Sequence, residues 1–462
     1  MKRRIIKALL DMNLNDGDKL PSIRFMIKSF GTSSGTVQAA LAELEANGKI
    51  CKIQGKGCFW GSSPIKNNVL YVRESISEKL TKAFDRDFAQ GFLKPSQPLP
   101  SSKELSARYN VSQNTLRRFL EDKVAHGILK KEGRHYQFYH KQKKSENASL
   151  SELIFVTRCN SWGGFTAESE RELDFLRLIY KTAGKSHYKL TLFGINDSTG
   201  ELIDRSGKPC NLSEHPDAVG AILSTLLVQN FRPLLAYFAT VKFPVAVWWE
   251  HPIDTVPKSY LHKDNWIFFN STFGKQPGKE IGRYLLSQGV REVDYFSLYH
   301  NSSWSRDRLE GIKESGLIVH TYVDDEFASP WDFKQIARKK VEKHAVETTA
   351  RAIEKNKLKI LADKALQENK KGISIPWVCV NDEIAGLFLE MFEEKKIQLP
   401  TPQNGPSIIA FDNSMESYLL RIPSYDFNTD ALVEQIFYYI ANPSVFYGIK
   451  KIHHILGNVM EK

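Results

Sequence analysis

Leu20-Pro21-Ser22-Ile23-Arg24 returns 79 residues later as Leu99-Pro100-Ser101-Ser102-Lys103. The correspondence runs without a gap from Leu20 and Leu99 to Gly48 and Gly127. Ser33 and Ser112, Thr36 and Thr115, Leu41 and Leu120, and Ala46 and Ala125 recur identically. A repeat of this kind means one structural unit used twice.

Each copy reads as helix, turn, helix and a small hairpin. In the first copy, Pro21-Ser22 opens a helix carrying Phe25, Met26 and Phe30, and Gly31 breaks it. Ser33 caps a second helix, with Val37, Ala40, Leu41 and Leu44 at helical spacing, and Gly48 ends it. Residues 49–53 and 58–60 read as two short strands around Gln54-Gly55-Lys56-Gly57. Two helices joined by a tight turn place the second in a DNA major groove. Ser34, Thr36 and Gln38 then face bases or phosphates, and the free N–H groups of the helix start favour phosphate.

These motifs, from Leu-Pro-Ser-x-Arg through Ser33-x-x-Thr36-Val37 to the Gly-Lys-Gly wing, resemble the GntR-type winged helix over about residues 1–62. The second copy is similar over about 70–140, with Lys103 for Arg24 and a reduced wing at residues 131–135. Its second helix offers Gln113, Asn114, Arg117 and Arg118, groups suited to reading base edges. The DNA-contacting set is therefore expected to be Arg24, Ser33, Ser34, Thr36, Gln38 and Lys56 in the first copy. In the second it is Lys103, Ser112, Gln113, Asn114, Thr115, Arg117 and Arg118.

The charge supports a polyanion partner at this end. Residues 1–150 hold 27 Lys and Arg against 14 Asp and Glu, while the remaining 312 residues hold 37 against 39. The whole-chain excess of +11 thus belongs to the part with the repeats. Five scattered cysteines, at 51, 58, 159, 210 and 379, fit a reducing cytoplasm and no zinc pattern. The apolar run near the N-terminus is interrupted by Lys7 and ends at Asp11, too short for a signal core. No apolar run approaches the ~18 residues of a membrane helix. No cofactor or metal is called for, and the expected location is the cytoplasm.

From Leu153 the pattern changes. Strand-like runs fall at 153–156, 189–195, 219–224, 244–249, 266–270, 292–298, 317–323, 376–380 and 407–411. Helical segments lie between most of them, at 166–182, 275–288, 305–315, 331–370 and 382–396. Such alternation means mostly parallel sheets covered on both faces. The length, about 310 residues, suits two similar lobes with a cleft between them. The expected domains are 1–64, 69–142 and 150–462, with polar linkers between.

The last domain carries a second resemblance. Arg306-Asp307-Arg308-Leu309-Glu310-Gly311, Val380-Asn381-Asp382-Glu383 and Ile408-Ile409-Ala410-Phe411-Asp412-Asn413 look like the effector domain of LacI/GalR-type regulators. The fold implied is α/β: tandem winged helix-turn-helix domains followed by a two-lobed, periplasmic-binding-protein-like (type I) domain. The resemblance carries a ligand role to Arg308, Asn381 and Asp412, with Asp382 as a neighbour. Trp249 stands where that family often has Asp. Phe269, Asn270, Trp162, Phe165 and Trp304 are candidate walls, since aromatic faces stack on sugar C–H surfaces.

The expected function is a bacterial transcription regulator, not an enzyme. Its operator binding answers to a small ligand, a mono- or oligosaccharide, and it assembles as a homodimer. Two other readings stand beside it. One is an architectural DNA binder whose body only dimerises. The other is a fused regulator binding pyridoxal phosphate, for which no Schiff-base lysine setting is visible.

Overall fold

The computed structural model describes residues 1–12, 14, 17–53, 57–61, 75–139, 150–160, 164, 165, 167, 169–196, 199–368, 375–395, 402–446 and 450–462. They form two compact units, Met1–Ser75 and Ile76–Lys462.

The first unit is a winged helix. Helices α1 (Lys2–Leu10), α2 (Ile23–Phe30) and α3 (Ser34–Ala46) precede a hairpin of β1 (Ile50–Ile53) and β2 (Gly57–Trp60). Ser22 caps α2, its Oγ accepting from Phe25 N at 3.2 Å. Gly31 ends that helix at φ +59°, where a side chain is disfavoured. Ile5, Leu9, Met26, Val37, Ala40, Leu41 and Leu44 close one small core. Lys56, at the hairpin tip, lies outside the described residues.

The second copy opens the second unit. It comprises α4 (Ile76–Ala89), α5 (Ser102–Arg108), α6 (Gln113–Ala125), β3 (Leu129–Glu132) and β4 (His135–Phe138). Its wing is a full four-by-four antiparallel hairpin rather than a reduced one. Ser101 and Glu104 form a reciprocal capping box at the start of α5. Buried Asp87 holds Arg108 through two hydrogen bonds of 2.6 and 2.8 Å, locking α4 to α5.

The body is two-lobed. Lobe I begins with β5 (Ser151–Cys159), α7 (Glu170–Lys185), β6 (Tyr188–Asn196), β7 (Leu202–Ile203), β8 (Ala218–Ser224), α8 (Phe231–Tyr237), β9 (Val245–Trp248), α9 (Lys258–Leu261) and β10 (Trp266–Asn270). The chain then crosses into lobe II. There it forms α10 (Gln276–Ser287), β11 (Glu292–Ser297), α11 (Ser303–Glu314), β12 (Ile318–Val323), α12 (Pro330–Arg338) and α13 (Val346–Glu368). Next come β13 (Trp377–Cys379), α14 (Asp382–Lys395), β14 (Ile408–Phe411), α15 (Met415–Leu419) and β15 (Ser424–Asp426). It returns to lobe I for α16 (Thr429–Ala441) and β16 (Ile452–His454), and ends in lobe II with β17 (Asn458–Met460).

The sheet orders are β16-β10-β9-β8-β5-β6-β7 and β12-β11-β13-β14-β15-β17. All pairings are parallel except the edge strands β7 and β17. Three crossings therefore join the lobes, at residues 271–275, 427–428 and 455–457. The expected helix over 331–370 is two helices, α12 and α13, separated by a 3-10 turn at Lys343–Ala345.

Candidate DNA interface and ligand cleft

In both winged helices the repeated Ser and Thr work on the backbone as well as facing outward. Ser33 Oγ accepts from Thr36 N at 3.4 Å, and Ser112 Oγ from Thr115 N at 3.2 Å. Each serine hydroxyl also bonds the threonine hydroxyl, at 3.0 and 2.8 Å. These pairs cap α3 and α6 and fix the first turn that would meet DNA. Around them Arg24, Ser34 and Gln38 are exposed in the first copy. Lys103, Gln113, Asn114, Arg117 and Arg118 are exposed in the second. Arg117 lies 3.9 Å from Glu121 of its own helix, an exposed pair that solvent screens.

The cleft is built by the ends of strands and by the crossings. Arg308 reaches in from α11 and is only 2% exposed. Its guanidinium lies 4.6 Å from the Trp304 and Phe411 ring centres and 5.0 Å from that of Phe427. One Nη donates to Val380 O, and the other stands 3.6 Å from Asp412 Oδ1. Burial pushes this guanidinium's pKa down, and Asp412 draws it back up. From lobe I, Arg171 of α7 stands 4.5 Å from the same Phe427 ring. Its Nη2 donates to Ser271 Oγ at 3.2 Å and to Glu250 Oε1 at 3.5 Å. Glu250 is oriented in turn by Trp248 Nε1 at 2.6 Å and by its own N–H on Thr225 Oγ1 at 2.9 Å. Phe427, in the second crossing, thus has a guanidinium group from each lobe within 5.0 Å of its ring centre. The buried Nε atoms of Arg171 and Arg308 and Thr272 Oγ1 meet no hydrogen-bond partner among the described residues.

The lobes also touch directly, Met415 N donating to Glu170 Oε2 at 2.6 Å. Beside Phe427 a cavity of about 390 Å³ opens between α7 and the crossings, with Arg171, Asp412 and Asn413 on its wall. Asp412 holds φ +107° and Asn413 φ +50°, so the turn after β14 is a strained one.

Several expected site residues turn out to be used elsewhere. Trp249 and Phe269 are fully buried in the cores of lobe I and are not cleft walls. Trp249 packs edge-on against Phe268 and Phe231. The carboxylate at this strand end is the next residue, Glu250. Asn270 spends its amide on Trp249 O and Phe273 N. Asn381 caps α14 by accepting from Ile384 N at 3.0 Å. Asp382 is buried and accepts from Ser414 N, Ser414 Oγ and Ser424 Oγ, which fixes the Asp412 turn. Burial, with Asp412 adding to it, pushes the Asp382 carboxyl up to about 7. Phe165 is half-buried beside Gly194 of β6, and Trp304 is half-buried under Arg308. Trp162 lies outside the described residues. Arg171, Glu250 and Phe427 carried no motif that sequence reading could use. Glu250 alone had a signal, an acid directly following an apolar strand.

Residues 1–59 match the family model described as "Bacterial regulatory proteins, gntR family". The chain is also similar, over about two thirds of its length, to solved structures of transcription regulators. The Escherichia coli transcriptional repressor ascG is 11% identical with a TM-score of 0.42, over 68% of this chain and 98% of that one. A periplasmic binding ribose operon repressor protein from Lactobacillus acidophilus is 12% identical with a TM-score of 0.39, over 69% and 98%. A LacI-family transcriptional regulatory protein from Corynebacterium glutamicum is 13% identical with a TM-score of 0.36, over 68% and 97%. The chain thus carries a winged helix of the gntR kind at residues 1–59, a second winged helix, and a two-lobed α/β body. No helix among the described residues is long and apolar enough to cross a membrane.

Proposed function

We propose that a small polar ligand, a sugar, binds between the lobes and controls the affinity of both winged helices for operator DNA. The observation that carries this is the pair of guanidinium groups, Arg171 from one lobe and Arg308 from the other, each within 5.0 Å of the Phe427 ring centre, with buried Nε donors unanswered. Planar donors beside the carboxylates Glu250 and Asp412 match paired hydroxyls, and the Phe427 face matches sugar C–H groups. A ligand held by both lobes favours one lobe arrangement, which is what a switch requires. Screening mono- and disaccharides by thermal shift tests it: at least one should raise the melting temperature of the wild type and not of Arg308→Ala. A panel without any shift would sink the sugar reading.

One observation favours a second reading, a body that only dimerises. Arg308 is buried with Asp412 beside it, so the cleft centre is already filled by protein. The same screen decides between the two.

On the DNA side, Arg24 and Lys103 would hold phosphates, and Gln113, Asn114 and Arg117 would read bases. Losing a phosphate contact should lower the salt slope by about one unit, while a lost base contact should cost ~1–3 kcal/mol at one position. An Arg24→Ala protein with unchanged affinity and salt dependence would take the first winged helix off the DNA.

A homodimer would match a symmetric operator. The surface that suits it lies on α7 and α15. Leu173, Tyr180, Met415 and Leu419 are 37, 48, 60 and 71% exposed. The exposed face of α7 carries Asp174 toward its N-terminus and Arg177 and Lys181 toward its C-terminus. An antiparallel second copy therefore sets acid against base.

A further inference from the structure

The second winged helix grips the hinge of the body. Asn428, in the second crossing, donates from Nδ2 to Gln90 O at 2.8 Å and to Leu456 O at 3.2 Å. Gln90 closes the last turn of α4, and Leu456 lies in the third crossing. Leu456 N in turn donates to Ala89 O at 3.0 Å. Asn428 Oδ1 also caps α16, accepting from Ala431 N at 3.2 Å, and its own N–H reaches Asp426 Oδ1 at 2.7 Å. One side chain thus joins two crossings, the return helix and the second winged helix. It does so at φ +59°, a left-handed conformation that Asn tolerates better than most residues.

The remaining contact is a seam along α16 of lobe I. Phe88 and Phe138 pack on Tyr438 with ring centres 6.3 and 5.5 Å apart, and Gln435 Nε2 donates to Phe88 O at 2.9 Å. Gly91, at φ +69°, passes so near that a Cβ would stand 2.9 Å from that of Ala431. The domain therefore rides on lobe I while bonded to the segments that must change when lobe II moves. A hinge absorbs lobe rotation in the backbone angles of its few residues, so the bonds at Gln90, Ala89 and Leu456 cannot be indifferent to it.

We propose that the second winged helix is the element that couples the lobes to DNA, with Asn428 as the positioning residue between them. This rests on the reading that the lobes respond to a ligand and that α6 contacts DNA. Coupling is reciprocal, so DNA bound at α6 must bias the hinge just as a ligand in the cleft biases α6. That allows a test with DNA alone. Hydrogen exchange is followed in the full chain at low salt, with and without a 30-base-pair duplex of random sequence.

In the wild type, the duplex should slow exchange at the start of α6 and, by about 5-fold or more, at residues 428–432 and 456–457. Asn428→Asp keeps the cap acceptor and the left-handed backbone but loses both donors. It should keep the protection of α6 and lose that of the hinge; Asn428→Gly serves if that variant does not fold. Protection of α6 with an unchanged hinge in the wild type would overturn the coupling and leave the DNA reading intact. So would an Asn428 variant that keeps the full hinge effect. An unprotected α6 would overturn the DNA role of this domain, and the coupling with it.

Discussion

Arg308 is held mainly by faces, three aromatic rings within 5.0 Å, and by a single backbone carbonyl and a carboxylate at 3.6 Å. None of these partners belongs to a winged helix. Arg308→Ala is therefore expected to bind operator normally without ligand and to lose any ligand effect on that binding, read by fluorescence anisotropy with a sugar that stabilises the wild type. An unimpaired response would move the sensor elsewhere. A different residue governs pH. Glu354 of α13 is 4% exposed, accepts from Tyr299 Oη at 3.1 Å and feels Glu383. Burial first, then Glu383, pushes its carboxyl up to about 7. A carboxyl whose folded pKa lies above its unfolded value holds its proton more tightly when folded. Its effect on stability is thus absent below about pH 4.5 and grows unfavourable as pH rises toward 7. Glu354→Gln should flatten this dependence, gaining about 3 kcal/mol over the wild type at pH 8 relative to pH 4 in urea titrations. Equal pH profiles would show that Glu354 titrates alike in the folded and the unfolded chain.

The two winged helices look alike in sequence but differ as elements. The first closes its own core, whereas the core of the second is continuous with α16 and the sheet of lobe I. Phe138→Ala should accordingly cost ~3–5 kcal/mol, and denaturant-dependent hydrogen exchange should show the loss in α16 as well as in β4. A loss confined to residues 76–139 would mean that the second winged helix folds on its own account. This continuity was not legible in the repeat, because Phe88 and Phe138 meet Tyr438 from some 300 residues away. What was legible had local causes: Ser22, Ser33, Ser101 and Ser112 as caps, and the apolar runs of β5, β8 to β11, β13 and β14. The strands β15, β16 and β17 are three residues each, and only the sheet edges they meet make them strands. The cleft divided in the same way. Arg308 and Asp412 stood in motifs and do converge. Arg171, Glu250 and Phe427 join this cluster only because three crossings bring α7, β9 and residue 427 together.

At the scale of the whole molecule, the charge that marks residues 1–150 would serve an operator best with matched pairs of winged helices, which a two-fold dimer supplies. The α7 surface allows a test by charge rather than by disruption. In an antiparallel pair of α7 helices, Asp174 of one copy approaches Lys181 of the other, and the two-fold repeats the contact. Asp174→Lys should set like charges together twice and weaken the dimer, raising its dissociation constant by roughly 10-fold or more at low salt. Lys181→Asp alone should do the same. The double variant restores opposite signs in reversed order, so sedimentation equilibrium should return to the wild-type dimer. Neither residue is buried in lobe I, so folding should be unchanged in all three proteins. Rescue requires that the two positions meet across an interface. Both positions also line the cavity beside Phe427, and Asp174 stands 3.7 Å from Arg177 of its own helix, so the rescue in the double variant, and not the loss in either single one, carries the test. Three proteins that sediment alike, or single variants that dissociate without rescue in the double, would exclude the antiparallel α7 contact as the dimer surface.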